Sequence, residues 1–341
     1  SEMNSAYPVF AAKRLGQAVV VVLLAYVLTF VVISVLPGDP LTSTLRNPEN
    51  GFTEDQIQKM VEFYGLDRPV WVQLVEALGR FVRGDLGISL RSSQPVATIV
   101  GDALPSTFAL AASALGVALV LAFALAYGTQ VLPRRAAQLL RSVPALFLSV
   151  PNFVIGLLLL NVFAFQLSLF SVIDPDAPVA TFFAAVALGI PVSAQIAQVL
   201  ITGLDHEFGE DYAVVAYARG LGRARLFFAH LLKPSALPVV TIIALTVGEL
   251  LGGALITETV FGRTGIGSVV QTAVTTQDLP VLQAVVALAA VVFVAVNLIA
   301  DLLYPLLDPR VSLFEPRRAA VPAPAGDEAL PEKLSEKASV R

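Results

Sequence analysis

Asp205–Pro238, DHEFGEDYAVVAYARGLGRARLFFAHLLKPSALP, separates two apolar stretches yet carries His206, Arg219, Arg223, Arg225, His230 and Lys233. Its first half has helical period: Tyr212, Val215, Ala216 and Arg219 fall at i, i+3, i+4 and i+7 and so share one face. Gly220 and Gly222 interrupt that helix, and a second apolar stripe of Leu226, Phe227, His230 and Leu231 opens another. Two short helices joined at a sharp turn, rooted between apolar stretches, make a stiff knob that a soluble partner can grip. The plainer alternative is an ordinary basic loop between two spans.

The rest of the chain explains where such a knob sits. Of its 341 residues 56% are hydrophobic and only 14% charged, and the mean hydropathy is +0.77. Soluble domains carry about a quarter charged residues, so the fold class is an all-α polytopic membrane protein. A crossing helix needs roughly 20 apolar residues. Six stretches qualify: Ala18–Leu36, Phe108–Gly128, Leu139–Phe163, Thr181–Thr202, Leu237–Thr257 and Pro280–Tyr304. The net charge of −4, with no basic patch, excludes a nucleic-acid partner. The absence of cysteine excludes disulfides, thiolate catalysis and Cys-ligated metals, and His206 and His230 alone make a poor metal site.

Residues 1–17 form a short N-terminal segment ending in Lys13 and Arg14, and the first span, 18–36, ends at Leu36-Pro37-Gly38-Asp39-Pro40, which is not a signal-peptidase site. Residues 37–105 are mixed in composition and form a helical insertion. Thr53 and Gln56 make a capping box, opening a helix with Ile57, Met60, Val61 and Tyr64 on one face and a stop at Gly65. Asp67 and Pro69 suit the cap and first turn of a second helix, which is expected to bury Trp71, Leu74, Leu78 and Phe81 and to end by Gly84. Residues 106–304 hold the remaining five spans, with the knob at 205–234. Residues 305–341 form a tail whose Pro, Ala and charge predict disorder from about Ala319.

Six spans put both termini on one side. With the N terminus inside, Lys13, Arg14, Arg134, Arg135, Arg141 and the cations of the knob and tail are cytoplasmic, and the short outer loops keep just Arg263. The remaining outer cations lie in the long insertion, which the positive-inside rule discounts.

The string DYAVVAYARGLGRARLFFAH followed by ALP resembles the coupling loop of ABC importer permeases of the dipeptide and oligopeptide branch. Asp211, Tyr212, Ala216, Ala218, Gly220, Leu221, His230, Leu237 and Pro238 match that pattern. Val215, Tyr217 and Arg219 stand where the branch has Thr, Arg and Lys, and Gln198 and Ile201 stand where it has bases. The first span with its LPGDP ending, the GDLGISLRSSQPVATIVGDALPST tail of the insertion, SVPNFVIGLLLLNVFA and ETVFGRTGIGSVVQTAVTTQDLP resemble other stretches of the same branch. In the last of these Thr264 replaces a proline. The resemblance implies six transmembrane helices of a type I importer permease in the inner membrane of a bacterium. It implies a homologous second permease subunit, cytoplasmic ATPase subunits that carry ATP and Mg, and an extracytoplasmic substrate-binding protein delivering peptide. The coupling role then falls to Asp211, Tyr212, Val215, Ala216, Ala218, Arg219, Gly220, Leu221, Arg223, Arg225 and His230. In this branch the insertion lies near the pore and the binding protein; a passive cap is the alternative. Permeases for nickel and other small solutes share these motifs.

The chain has no phosphate loop, nucleophile elbow or metal-spaced His pair, so it is expected to bind no cofactor and to catalyse nothing itself. GRTGIG at Gly262–Gly267 reads as a tight re-entrant turn and not as a phosphate cradle. Polar groups within spans are candidates for a translocation path: Glu249, the one acid assigned to a span, then Asn152, Gln195 and Gln198. Glu249 either faces a water-filled path, where it can meet a peptide's amino terminus, or hydrogen-bonds a neighbouring helix. Gly248 and Gly252 with Gly253 permit close helix approach, and Pro144, Pro151 and Pro191 are expected to kink their spans. A secondary transporter driven by an ion gradient would call for internal repeats and several ionisable groups near the midplane, which the chain lacks.

Overall fold

The computed structural model describes residues 2–35, 46, 51–65 and 68–307. Asp67, the LPGDP ending of the first span and the tail beyond 307 lie outside the described residues. The first helix, α1 (Glu2–Val35), is followed in the insertion by α2 (Glu54–Tyr64) and α3 (Val70–Val82). Next come α4 (Val96–Val131), α5 (Arg134–Ser149), α6 (Asn152–Leu159) with a π-helical continuation (Leu160–Gln166), and α7 (Pro178–Phe208). The knob is α8 (Asp211–Ala218), α9 (Arg223–Leu226), a π-helical turn (Phe227–Leu231) and α10 (Leu232–Ser235). It leads into α11 (Leu237–Phe261), α12 (Ile266–Thr275) and α13 (Leu279–Leu307).

Among the described residues five helices, within α1, α4, α7, α11 and α13, are long and apolar enough to cross a membrane. The sixth span, expected as one kinked helix over Leu139–Phe163, is instead the pair α5 and α6, bent by 94°. Val150, before a proline, takes extended angles (φ −108, ψ 123), and Pro151 has no N–H to continue the ladder. Pro144 and Pro191 lie inside α5 and α7, which run on past them.

The two ends of the bundle are tied by different polar groups. Ser106, Asp176 and Arg263, in the first third of α4, before α7 and after α11, meet at one end. Gln130, Arg141 and Asp205, near the end of α4, on α5 and near the end of α7, meet at the other. α4 has 36 residues, about 54 Å at 1.5 Å per residue, so it protrudes from a hydrocarbon core of about 30 Å. The insertion, which leads into the start of α4, and the knob, which follows the end of α7 beside Gln130 and Arg141, therefore lie at opposite ends of the bundle.

Small residues set the core. Ala114, Ala118, Ala122 and Ala126 recur every fourth position of α4 and are fully buried against α7. A Cβ on Gly189 of α7 would sit 2.8 Å from the Ala114 carbonyl oxygen and 3.3 Å from the Ala118 nitrogen, so the two backbones pack nearly in contact. In the C-terminal third of α1, Tyr26 stacks on Phe81 at 4.3 Å and donates its hydroxyl to the Ala77 carbonyl at 3.2 Å. This seats α3 on the bundle through Leu74, Ala77, Leu78 and Phe81. Trp71, expected in that face, is 70% exposed; it lies in the first turn of α3, beyond the contact centred on Ala77. The capping box on α2 is formed, with Gln56 N–H donating to Thr53 Oγ1 at 3.4 Å and Thr53 N–H to Gln56 Oε1 at 3.0 Å.

Candidate coupling surface and translocation path

α8 is held by its small residues. Ala213 is buried and Ala216 packs against the main core, and Leu221 joins them beyond the turn. Tyr212, Val214, Val215 and Tyr217 are 43 to 53% exposed. The face shared by Tyr212, Val215 and Arg219 thus points outward, with Ala216 at its inner margin. Asp211 sits in the first turn, where the helix dipole favours an acid. Tyr212 donates its hydroxyl to the Glu207 carboxylate, which fixes the ring against the end of α7. Partial burial, that hydrogen bond and the charges of Glu207 and Glu210 push its phenol up to about 12.

The turn after α8 is a Schellman motif. Leu221 N–H reaches the Ala216 carbonyl at 3.2 Å and Gly220 N–H the Tyr217 carbonyl at 3.0 Å. Gly220 has φ +87 and nothing within 4 Å of where a Cβ would stand, so backbone conformation and not space requires glycine. Ala218, Arg219, Arg223 and Arg225 are exposed, and the three arginines form no ion pair among the described residues. The second arm is anchored by Phe227, fully buried edge-on to Phe123 at 5.6 Å and Tyr127 at 5.2 Å. Leu226 and Leu231 turn inward as the apolar stripe predicts, but His230 does not: it is exposed. The π-helical turn inserts extra arc at Phe227–Leu231, which swings His230 off the buried face.

Behind the knob, Arg141 of α5 grips the Asp205 carboxylate of α7 with both terminal nitrogens, one at 2.8 Å, and Gln130 of α4 adds a third bond at 3.1 Å. In the sequence Arg141 stands out only as a cation that marks topology.

Along the seam of α6, α7 and α11, Gln195 Nε2 donates to Glu249 Oε2 at 2.6 Å. Glu249 is exposed on its other side while Gln195 is half-buried. Asn152 Nδ2 lies 3.3 Å from where a Cβ on Gly253 would be, one turn beyond Glu249. Gln198, the next turn of α7, is exposed. The four candidates therefore line one seam, and Glu249 has both an open side and a hydrogen-bonded neighbour. The expected close approach at Gly248 is to the Phe293 ring, at 2.9 Å from a notional Cβ; Gly252 has open space around it.

Glu249 is not the one acid in a span. Glu258, one residue past the predicted end, belongs to α11 and is fully buried. Its Oε2 accepts the Gly267 N–H at 2.6 Å, so it caps the start of α12 from a different helix. GRTGIG forms the tight turn between α11 and α12, wrapped around a carboxylate of the chain itself. A Cβ on Gly267 would stand 2.8 Å from Glu258 Oε2 and 2.7 Å from the Leu255 carbonyl oxygen, and one on Gly265 would collide with the carboxylate outright. Arg263, 2% exposed, donates to Pro175 O at 2.8 Å, Thr181 Oγ1 at 2.7 Å and Ser106 Oγ at 3.1 Å, and pairs with Asp176 at 2.9 Å. A buried guanidinium needs such oxygens; here they serve the two terminal nitrogens, and the buried Nε has no hydrogen-bond partner among the described residues. Burial works to raise the Asp176 carboxyl, but hydrogen bonds from Thr264 and Ser106 and the Arg263 charge outweigh it and hold it below its ordinary range. The signal for this network was in ETVFGRTGIG, where an acid and a base flank closely spaced glycines.

Residues 118–313 match the family described as "Binding-protein-dependent transport system inner membrane component". The chain is 31% identical over 309 residues to the dipeptide transport system permease protein of Lactococcus lactis, spanning 89% of this chain and 99% of that protein. It is 29% identical over 304 residues to the glutathione transport system permease protein of Escherichia coli K12, spanning 89% and 98%.

Proposed function

Because the chain belongs to the family of binding-protein-dependent transport system inner membrane components, we propose that it is the membrane-spanning subunit of an ATP-driven importer of dipeptides and short oligopeptides. Relatives named for dipeptide and glutathione transport support the substrate class. The observation that carries the mechanism is the knob: a short helix anchored by Ala213 and Ala216 with Tyr212, Val215 and Arg219 turned outward. Exposed aromatic and aliphatic side chains ringed by cations, outside the spans, suit an acidic, partly apolar protein groove. The proposed occupant is a cytoplasmic ATPase subunit. When paired ATPases close on ATP, the knobs of two permeases move together, and the Arg141–Asp205 clamp and Phe227 pass that motion to α5, α7 and α4.

Glu249 supports a path shared with a second permease subunit. A charged side chain facing lipid costs about 3 kcal/mol at mid-span, so its open side faces water and the partner, beside Gln195, Gln198 and Asn152. The binding protein docks on the side of the insertion, and the N terminus and the knob are cytoplasmic in the bacterial inner membrane.

The test is uptake of labelled dipeptide by the whole complex, with both permeases, ATPases and binding protein in proteoliposomes. Wild type is expected to accumulate dipeptide only with ATP inside the ATPase compartment, with excess nickel leaving uptake unchanged. Gly220→Asp is expected to abolish uptake and the stimulation of ATP hydrolysis by loaded binding protein. If that variant docks its ATPases and transports normally, the coupling role is wrong; if nickel and not dipeptide is accumulated, the substrate class is wrong.

A further inference from the structure

Where the hairpin of residues 87–96 lies against α12 there is a cleft of about 270 Å³. Its floor is preformed: the Asp278 carboxylate, 3% exposed, accepts from Ser89 Oγ, from Leu90 N–H at 3.1 Å and from Arg91 N–H at 3.4 Å. Ser93 (φ +57) and Gln277 (φ +53), one on each side, hold left-handed backbone that such residues seldom adopt, as happens at functional sites. Three polar groups facing the cleft have no side-chain partner among the described residues: the Arg91 guanidinium, the Gln94 amide and the Thr272 hydroxyl. Ile99, Val269 and Val281 supply an apolar wall. Behind α12, whose Ile266 borders it, lies a second cavity of about 460 Å³ between α4, α11 and α13 that is almost wholly apolar. The helix therefore stands between the two cavities.

We propose that this cleft receives the C-terminal end of an incoming peptide, with Arg91 as the counter-ion of its carboxylate. The guanidinium presents a fork matched to a carboxylate. Gln94 and Thr272 offer both donor and acceptor capacity to a peptide bond, and the apolar wall takes a side chain. The volume of about 270 Å³ lies just below the roughly 300–1,000 Å³ of small-molecule sites, which fits the end of a short peptide and not a whole larger ligand. The proposal rests on the peptide-import reading and on the insertion being extracytoplasmic.

The experiment compares, in the assembled transporter with saturating preloaded binding protein, uptake of a labelled dipeptide and of its C-terminal amide. Wild type is expected to favour the free acid. Arg91→Gln is expected to slow free-acid uptake roughly ten-fold, the loss of one charge-assisted contact, while leaving the amide and the stimulation of ATP hydrolysis unchanged. Arg91→Lys, which keeps charge without the fork, is expected to fall between, and Thr272→Val to slow acid and amide alike. Equal effects of Arg91→Gln on acid and amide overturn the proposal, as does no effect at all. Loss of stimulation by binding protein in that variant also overturns it, since the cleft would then hold a segment of that protein. A wild-type complex that imports no dipeptide removes the import reading itself, whereas a wild type that imports with an indifferent Arg91→Gln removes only the cleft assignment.

Discussion

Two glycines in turns of this chain answer to different physics, and substitution separates them. At Gly265 a methyl group would land on the buried Glu258 carboxylate, which would have to shift and lose the Gly267 N–H. Overpacking costs about 1–3 kcal/mol, and leaving a buried hydrogen-bonding group without its partner costs about 1–3 kcal/mol again. Gly265→Ala is therefore expected to cost about 3 kcal/mol or more, read as a large drop in the thermal unfolding midpoint of the detergent-solubilised chain. At Gly220 the neighbourhood is empty and only φ +87 opposes a side chain, so Gly220→Ala is expected to cost about 1 kcal/mol. Equal shifts for the two variants would mean that Glu258 does not occupy the glycine turn. At Asp176 the lowered carboxyl means that its contribution is present at neutral pH and is lost as pH falls through its folded-state value.

The same contrast holds for whole elements. The second arm of the knob is not gripped by its cations, which are exposed, but by Phe227 between Phe123 and Tyr127. Phe227→Ala is expected to cost about 3–5 kcal/mol and to leave an arm too loose to pass on force, so that ATP hydrolysis by the complex continues while dipeptide uptake falls. Phe228→Ala, at a side chain 57% exposed, is expected to change stability by less than about 1 kcal/mol. Retained uptake by a folded Phe227→Ala complex would show that the arm need not be rigid. Periodicity made α8, its glycine stop and the capping box on α2 legible, because each depends on neighbours three or four residues away. It was silent on direction. A hydropathy window over Leu139–Phe163 reads the same whether the chain runs straight or turns by 94° at Pro151. His230 misled for a related reason, since a π-helical turn changes the phase that a 3.6-residue period assumes. Glu258 was missed by one residue, where a charge ended the apolar run although the helix continued to Phe261.

For the molecule as a whole, the two polar clusters at opposite ends are the part the sequence could not assemble, since Ser106, Asp176 and Arg263 come from three separate loops and helices. They give the bundle two distinct ends, and the proposed mechanism needs the end with the knob to be cytoplasmic. The chain has no cysteine, so a single introduced thiol reports its own side without background. Arg223→Cys lies on the knob and Trp71→Cys on the insertion, both at exposed positions. In intact cells a membrane-impermeant maleimide is expected to label the Trp71→Cys thiol at once and the Arg223→Cys thiol only after permeabilisation. Adding assembled ATPase is expected to protect the second thiol and leave the first unchanged. Labelling of the Arg223→Cys thiol from outside would put the knob beyond the reach of any cytoplasmic motor. The exposed Tyr212–Arg219 face would then have to serve an extracytoplasmic partner, and Glu249 would lie on a path with no energy source attached.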